Sequence, residues 1–189
     1  MSKIKDRRIA KSEKAIQTAF LEMLLDVGFD AITVKEMTEK ADISRKTFYL
    51  HYLDKYDLLN GIVDEMIREL TDLCEKKKEM GFVEGTVLWF YYFEDHKPFF
   101  TALFSTESTI TFRHRLLDFI MEQLNYKLEG VSAQRNTEVL RKFMGMAVLG
   151  VIESYVLDQF HAGIEEISKQ VGELLEQIIV RAQSEENVK

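Results

Sequence analysis

One cysteine, one proline and no apolar run long enough to cross a bilayer bound what these 189 residues can be. A lone Cys74 excludes an intrachain disulfide and a zinc cluster of thiolates. It reads as a small buried hydrophobe or, given exposure and a lowered pKa, as a redox-sensing thiol. With Pro98 the sole proline, long stretches are free of the ring that interrupts helices. The opening Met1-Ser2-Lys3-Ile4-Lys5-Asp6-Arg7-Arg8 is followed by no apolar segment, so neither a signal peptide nor a membrane span is expected and the cytoplasm is the expected location. Phosphate-cradling glycine loops, nucleophile elbows and paired-histidine motifs are also missing, so neither an enzyme nor a cofactor is expected. Glu94-Asp95-His96 is the nearest approach to a metal cluster, but its spacing is not that of a ligand set and it reads as a solvated helix end. His114 and His161 are isolated.

The net charge of -7 is unevenly spread. Residues 1–57 hold 11 Lys and Arg against 10 Asp and Glu, whereas residues 58–189 hold 14 against 22. Lys3, Lys5, Arg7, Arg8, Lys11 and Lys14 are opposed near the start only by Asp6 and Glu13. On charge alone that run is equally an arm docking on phosphates or a solvated helix start.

The periodicity is helical throughout. Ile9, Ile16, Ala19, Phe20, Met23, Leu24 and Val27 form one amphipathic face, closed by Gly28 as C-cap. Thr33 is placed to cap a helix from Val34 to Lys40, with Glu36 completing a capping box. Ser44 caps a second, short helix running through Arg45-Lys46-Thr47-Phe48-Tyr49-Leu50-His51, which must lean on its neighbours to exist. Phe48 and Tyr52 are expected to pack inward with Ile43, Met37 and Val34, leaving Lys46 and Tyr49 outside with Arg45 at the edge. Asp54 caps a longer helix with apolar positions Leu58, Leu59, Ile62, Met66, Leu70 and Leu73, reaching the charged stretch Glu75 to Glu79.

Two helices joined so that the first props the tip of the second against a major groove make a helix-turn-helix. The run from Thr33 to Leu59, preceded by Gly28-Phe29, closely resembles the DNA-binding head of the TetR family of transcriptional regulators, over about the first third of the chain. The resemblance implies that Thr33, Tyr49 and Lys55 hold phosphates, while Ser44, Arg45, Lys46, Thr47 and His51 occupy the end nearest the bases. The chemistry agrees: Arg45 and Lys46 can donate to guanine, Thr47 can touch a thymine methyl, and Tyr49 can bond a phosphate. One departure is Asp42, where the family usually has glycine; aspartate tolerates strained turns better than most residues.

From Phe82 to Phe104 lie nine of the 21 aromatic residues, too dense for one stripe, so this segment is expected to be buried or to line a cavity. Trp89, Tyr92, Phe93, Phe104, Phe119 and Tyr155 are the candidate ligand-binding residues. Pro98 marks a new helix. Phe112, Leu116, Phe119, Ile120 and Leu124 continue the period to a turn at Gly130-Val131-Ser132. The last two stripes run Leu140, Phe143, Met144, Ala147, Val148, Val151, Ile152, Tyr155, then Ile164, Ile167, Val171, Leu174, Leu175, Ile178. Such pairs form four-helix dimer seams or serve the protomer's own core. Gly145 and Gly150 let another helix come close, and the tail from Ser184 is expected to fray. Leu88-Trp89-Phe90 to Leu103-Phe104 and Gly150 to Val156 resemble the TetR branch that includes regulators of dihydroxyacetone-kinase operons, where the Tyr155 position is more often tryptophan.

The expectation is therefore an all-α chain with a head over 1–57, joined by a long helix to a helical sensing and dimerising body over 58–189. It is read as a homodimeric regulator, a repressor, binding double-stranded operator DNA and answering a small-molecule effector, without a membrane. The competing reading is a ligand-binding or scaffolding helical dimer that acts through a protein partner without DNA binding of its own.

Overall fold

The computed structural model describes residues 2–76, 80–128 and 137–184. Among them every regular element is helical: α1 (Ser2–Val27), α2 (Val34–Lys40), α3 (Arg45–Phe48), α4 (Lys55–Lys76), α5 (Phe82–Asp95), α6 (Lys97–Phe104), α7 (Ile110–Lys127), α8 (Thr137–Val156) and α9 (Ile164–Ser184), with a 3₁₀ turn over Glu107–Thr109. The turn expected at Gly130-Val131-Ser132, residues 77–79 of the charged stretch and the tail beyond Ser184 lie outside the described residues, as do the side chains of Lys3 and Lys5.

The ends of the first elements follow from their capping chemistry. Gly28, at φ +77°, turns the chain out of α1 in the left-handed conformation that costs a glycine nothing. Thr33 Oγ1 accepts the Glu36 N–H at 3.2 Å and donates to the Glu36 carboxylate at 2.6 Å, a capping box closed through the hydroxyl. Asp54 Oδ1 accepts the N–H groups of Tyr56 and Asp57, both at 2.8 Å, starting α4. α4 then runs without a break across the expected head-body boundary at 57/58.

The head packs Ile16, Phe20 and Leu24 of α1 against Phe29, Ile32, Met37, Phe48, Leu58 and Leu59, all buried. In the body α5 lies along α9 and α7 along α8, while α4 is wedged against α5 and α7. Two glycines set how closely these helices approach. A Cβ on Gly145 would come within 2.9 Å of Met121 Cγ on α7, and one on Gly172 within 3.1 Å of the Val83 backbone on α5. Gly150, expected to do the same, has nothing of its own protomer within 4 Å of that position.

An aromatic chain fills the body. Trp89 meets Phe93 at 5.0 Å, Phe93 meets Phe100 at 4.6 Å, Phe100 meets Phe112 at 6.1 Å and Phe112 meets Phe104 at 5.2 Å. Two phenols tie helices together at its edge: Tyr92 donates to Glu69 on α4 at 2.7 Å, and Tyr155 to Glu94 on α5 at 2.6 Å. Desolvation, and then the hydrogen bond to a carboxylate, pushes both phenols far above their ordinary value of 10.0. A phenol whose folded pKa lies above its unfolded one stabilises fully below about pH 10 and loses that contribution as pH rises further. Thermal melts from pH 8 to 11 should show a fall in midpoint above pH 10 that is shallower in Tyr92→Phe/Tyr155→Phe; an unchanged slope would assign the alkaline loss to other groups.

Candidate nucleic-acid interface

A helix of four residues cannot stand alone, so α3 exists because of what it leans on. Phe48 is fully buried beside Met37, with Val34, Ile43 and Tyr52 packed partly buried around it, as the sequence pattern predicts. Ser44 Oγ accepts the Thr47 N–H at 3.1 Å and lies 2.9 Å from Thr47 Oγ1, giving α3 its N-cap. The regular helix is shorter than the segment expected through His51. The Leu50 and His51 N–H groups bond to the Thr47 and Phe48 carbonyls three residues back, at 3.2 and 2.9 Å, which tightens the last turn into 3₁₀ form.

The turn feeding α3 depends on Asp42, whose φ of 52° places it in the left-handed region. This is the conformation that glycine adopts freely, and it accounts for the residue the related pattern prefers there.

Of the eight residues expected at DNA, Arg45, Lys46 and Tyr49 come together on the exposed side of α3. Tyr49 is 57% exposed and its ring stands edge-on to Phe48 at 5.4 Å. Thr33 is exposed at the start of α2, and Ser44 and Thr47 share the cap just described. Lys55 and His51 have other work in this conformation. The Lys55 ammonium donates to the carbonyls of Phe29, Asp30 and Ile32, each at 3.0 Å, and lies 4.7 Å from the centre of the Phe29 ring. An ammonium has three donors and all three are engaged here, so in this structure Lys55 clamps the α1–α2 loop to the start of α4. His51 Nε2 lies 2.7 Å from Ser12 Oγ and so ties the end of the α3 turn to α1. Arg7, Arg8, Lys11 and Lys14 are exposed on α1, a continuous helix over the stretch where the sequence allowed an arm.

The clamped loop is also joined to the body. Thr106 Oγ1 donates to Asp30 Oδ2 at 2.8 Å. Hydrogen bonds from Ser108 and Thr106, and then the charge of Lys55, hold the Asp30 carboxyl below its ordinary value. The Thr106 carbonyl accepts from Arg113 at 3.4 Å, and Arg113 pairs with Glu153 of α8 at 2.8 Å and also bonds the Phe104 carbonyl. An unbroken polar path thus runs from α8 to the loop that seats the head.

In the body, a half-open cavity of about 500 Å³ is walled by Phe82, Trp89, Phe90, Leu124, Val148 and Leu175, with Gln123 and Lys127 among its polar groups. Of the six ligand candidates only Trp89 lines it. Phe93, Phe104 and Phe119 are core side chains, and Tyr92 and Tyr155 bridge helices through Glu69 and Glu94. The lining comes from one helical face of α5, Phe82, Gly85, Thr86, Trp89 and Phe90, where two small residues leave room between aromatics. Among the described residues no three His, Cys, Asp or Glu side chains are grouped to hold a metal ion, and no helix is long and apolar enough to cross a membrane.

Comparison with known proteins matches residues 16–62 to the family described as bacterial regulatory proteins, tetR family, and residues 82–177 to a transcriptional regulator C-terminal region of the same group. The uncharacterized HTH-type transcriptional regulator YxbF of Bacillus subtilis (strain 168) is 37% identical over 68 residues, which are 35% of this chain and 18% of that protein. The class G tetracycline repressor of Vibrio anguillarum is 33% identical over 51 residues, 27% of this chain and 24% of its own. The chain thus spans less than a third of the length of these relatives. In solved structures the fold is matched over whole chains. A TetR transcriptional regulator from Streptococcus agalactiae 2603V superposes with a TM-score of 0.74 at 21% identity, over 93% of this chain and 99% of that one. The dihydroxyacetone kinase operon activator DhaS gives 0.66 at 18%, over 90% and 97%.

Two stability effects follow from the head. Asp42→Gly should raise urea-derived stability by about 0.5–1 kcal/mol by removing the left-handed strain of a side chain; a loss would mean the carboxylate holds the turn. Lys55→Met should cost about 1–3 kcal/mol, because it strands loop carbonyls that one ammonium satisfies, and the loss should be read in the same urea titrations.

Proposed function

Since the chain belongs to the TetR family of bacterial transcriptional regulators, we propose that it binds double-stranded operator DNA as a homodimer and is released by a small molecule held in the body cavity. The observation that carries this reading is the exposed Arg45, Lys46 and Tyr49 surface, held out by a fully buried Phe48. Arg45 and Lys46 supply donors for guanine edges and Tyr49 a hydroxyl for a phosphate. Thr33 is proposed to hold a phosphate and Ser44, Thr47 and His51 to lie at the end nearest the bases, with His51 also within 2.7 Å of Ser12 Oγ.

Dimerisation is supported by the outer faces of the last two helices. Phe143 is 62% exposed and shares a stripe with Met146 and Gly150 of α8, and Leu174 of α9 is 59% exposed. The sequence left these helices to serve either a seam or the protomer's core; on α8, Met144, Val148 and Ile152 turn inward while Phe143 and Ala147 stay exposed, which leaves an outer face for a seam. An apolar stripe with a glycine open to close approach suits a second copy related by twofold symmetry.

Two heads in one dimer must meet successive major grooves about one helical turn of DNA, or a near multiple, apart. A ligand that favours a different α4 position between α5 and α7 changes that spacing, and the path Glu153–Arg113–Thr106–Asp30 carries the change to the clamped loop. Occupied operator with repression, relieved by ligand, is the proposed output; DhaS has the same fold and is an operon activator. The cytoplasm, where the chromosome is, is the proposed location.

Gel shifts at graded salt on operator-sized duplexes test the reading. Steeply salt-dependent, sequence-selective retention is expected, and salt-insensitive failure to bind would favour a scaffold acting through a protein partner. Tyr49→Phe should weaken all duplexes alike, while Arg45→Ala and Lys46→Ala should shift sequence preference; equal losses everywhere would put both cations on the backbone. Phe143→Arg combined with Leu174→Glu should halve the mass in solution without loss of helix content, and an unchanged mass would move the seam elsewhere.

A further inference from the structure

The α3 surface carries one side chain that neither the cationic nor the phosphate-binding roles use. Leu50 is 77% exposed, next to Tyr49 and four residues after Lys46. Its N–H bonds to the Thr47 carbonyl at 3.2 Å, so it belongs to the same hydrogen-bonded turn. Lys46, Tyr49 and Leu50 are all exposed on this segment. Phe48 and Tyr52 supply the inward face, and Leu50 adds nothing to the core.

A single exposed leucine is ordinary on a protein surface; what gives this one meaning is its company. It sits among groups that bind by donating hydrogen bonds, yet it can neither donate nor accept one. It therefore cannot hold a phosphate oxygen or any polar base edge. In the major groove of B-DNA the apolar group on offer is the C5-methyl of thymine. We infer that Leu50 is a specificity-determining residue that reads a thymine through its methyl group, next to the base pair reached by Lys46. Leu53 is as exposed, at 80%, but follows the Tyr52 N–H to Phe48 bond that closes the turn, and its own N–H is held by Asp57 at 2.9 Å. It belongs to the link into α4.

The inference rests on the DNA-binding reading, and the experiment separates the two. The full-length protein is used to select its preferred duplex from a random pool. Each thymine in that duplex is then replaced in turn by deoxyuridine, which removes the methyl and keeps the pairing. Kd is measured by fluorescence anisotropy for the wild type, Leu50→Ala and Leu53→Ala. At one thymine per half-site the replacement should weaken the wild type about four-fold, the worth of one buried methyl-sized group. Leu50→Ala should bind the thymine and deoxyuridine duplexes equally, while Leu53→Ala keeps the difference. Deoxyuridine effects identical in the wild type and Leu50→Ala, or a Leu50→Ala loss that is the same on every sequence, would overturn the assignment and leave DNA binding intact. A pool that enriches no sequence would bring down the DNA-binding reading itself and this inference with it.

Discussion

Burial of the Phe48 ring is the constraint on which the rest depends. A four-residue helix does not persist in water, and α3 does so because Phe48 is buried in the core with no exposed surface. Once that ring is fixed, the alternation of the turn places Arg45, Lys46, Tyr49 and Leu50 outward with no further choice. Hydrophobic burial on one side thus sets the polar geometry on the other.

Around this anchor the head is closed by polar groups acting as braces. Lys55 gathers three carbonyls of the α1–α2 loop, and His51 fastens the α3 turn to Ser12. Both residues stand in the stretch that resembles a DNA-binding head, and in this structure both tie its segments together.

The body is organised on the opposite principle. Its aromatic chain from Trp89 to Phe104 is continuous, while the neighbouring α5 face leaves space at Gly85 and Thr86. Beside this aromatic wall, α4 borders the cavity through Cys74 and Glu75 and reaches the head as one continuous helix. The polar path through Arg113 supplies a second connection to the loop that Lys55 holds.

Local signals made much of this legible in the residues alone. Caps at Thr33, Ser44 and Asp54, the glycine after α1 and the inward pair Phe48 and Tyr52 are decided by contacts within a few residues, so spacing reveals them. The strained turn at Asp42 was legible for the same reason, since backbone conformation is a short-range property. Where groups distant in sequence compete for one another, spacing is silent. Whether Lys55 turns toward carbonyls or toward a phosphate depends on a loop 23 to 26 residues earlier. Which aromatics line a cavity and which fill the core depends on how closely α5 meets α9, a distance set by Gly172 against Val83. The sequence by itself determined helical identity, the head and its outward face, because periodicity and capping act locally. Only the tertiary structure decided the clamp, the cavity and which apolar side chains of α8 and α9 stay exposed, because long-range packing chooses among partners that local patterns leave equal.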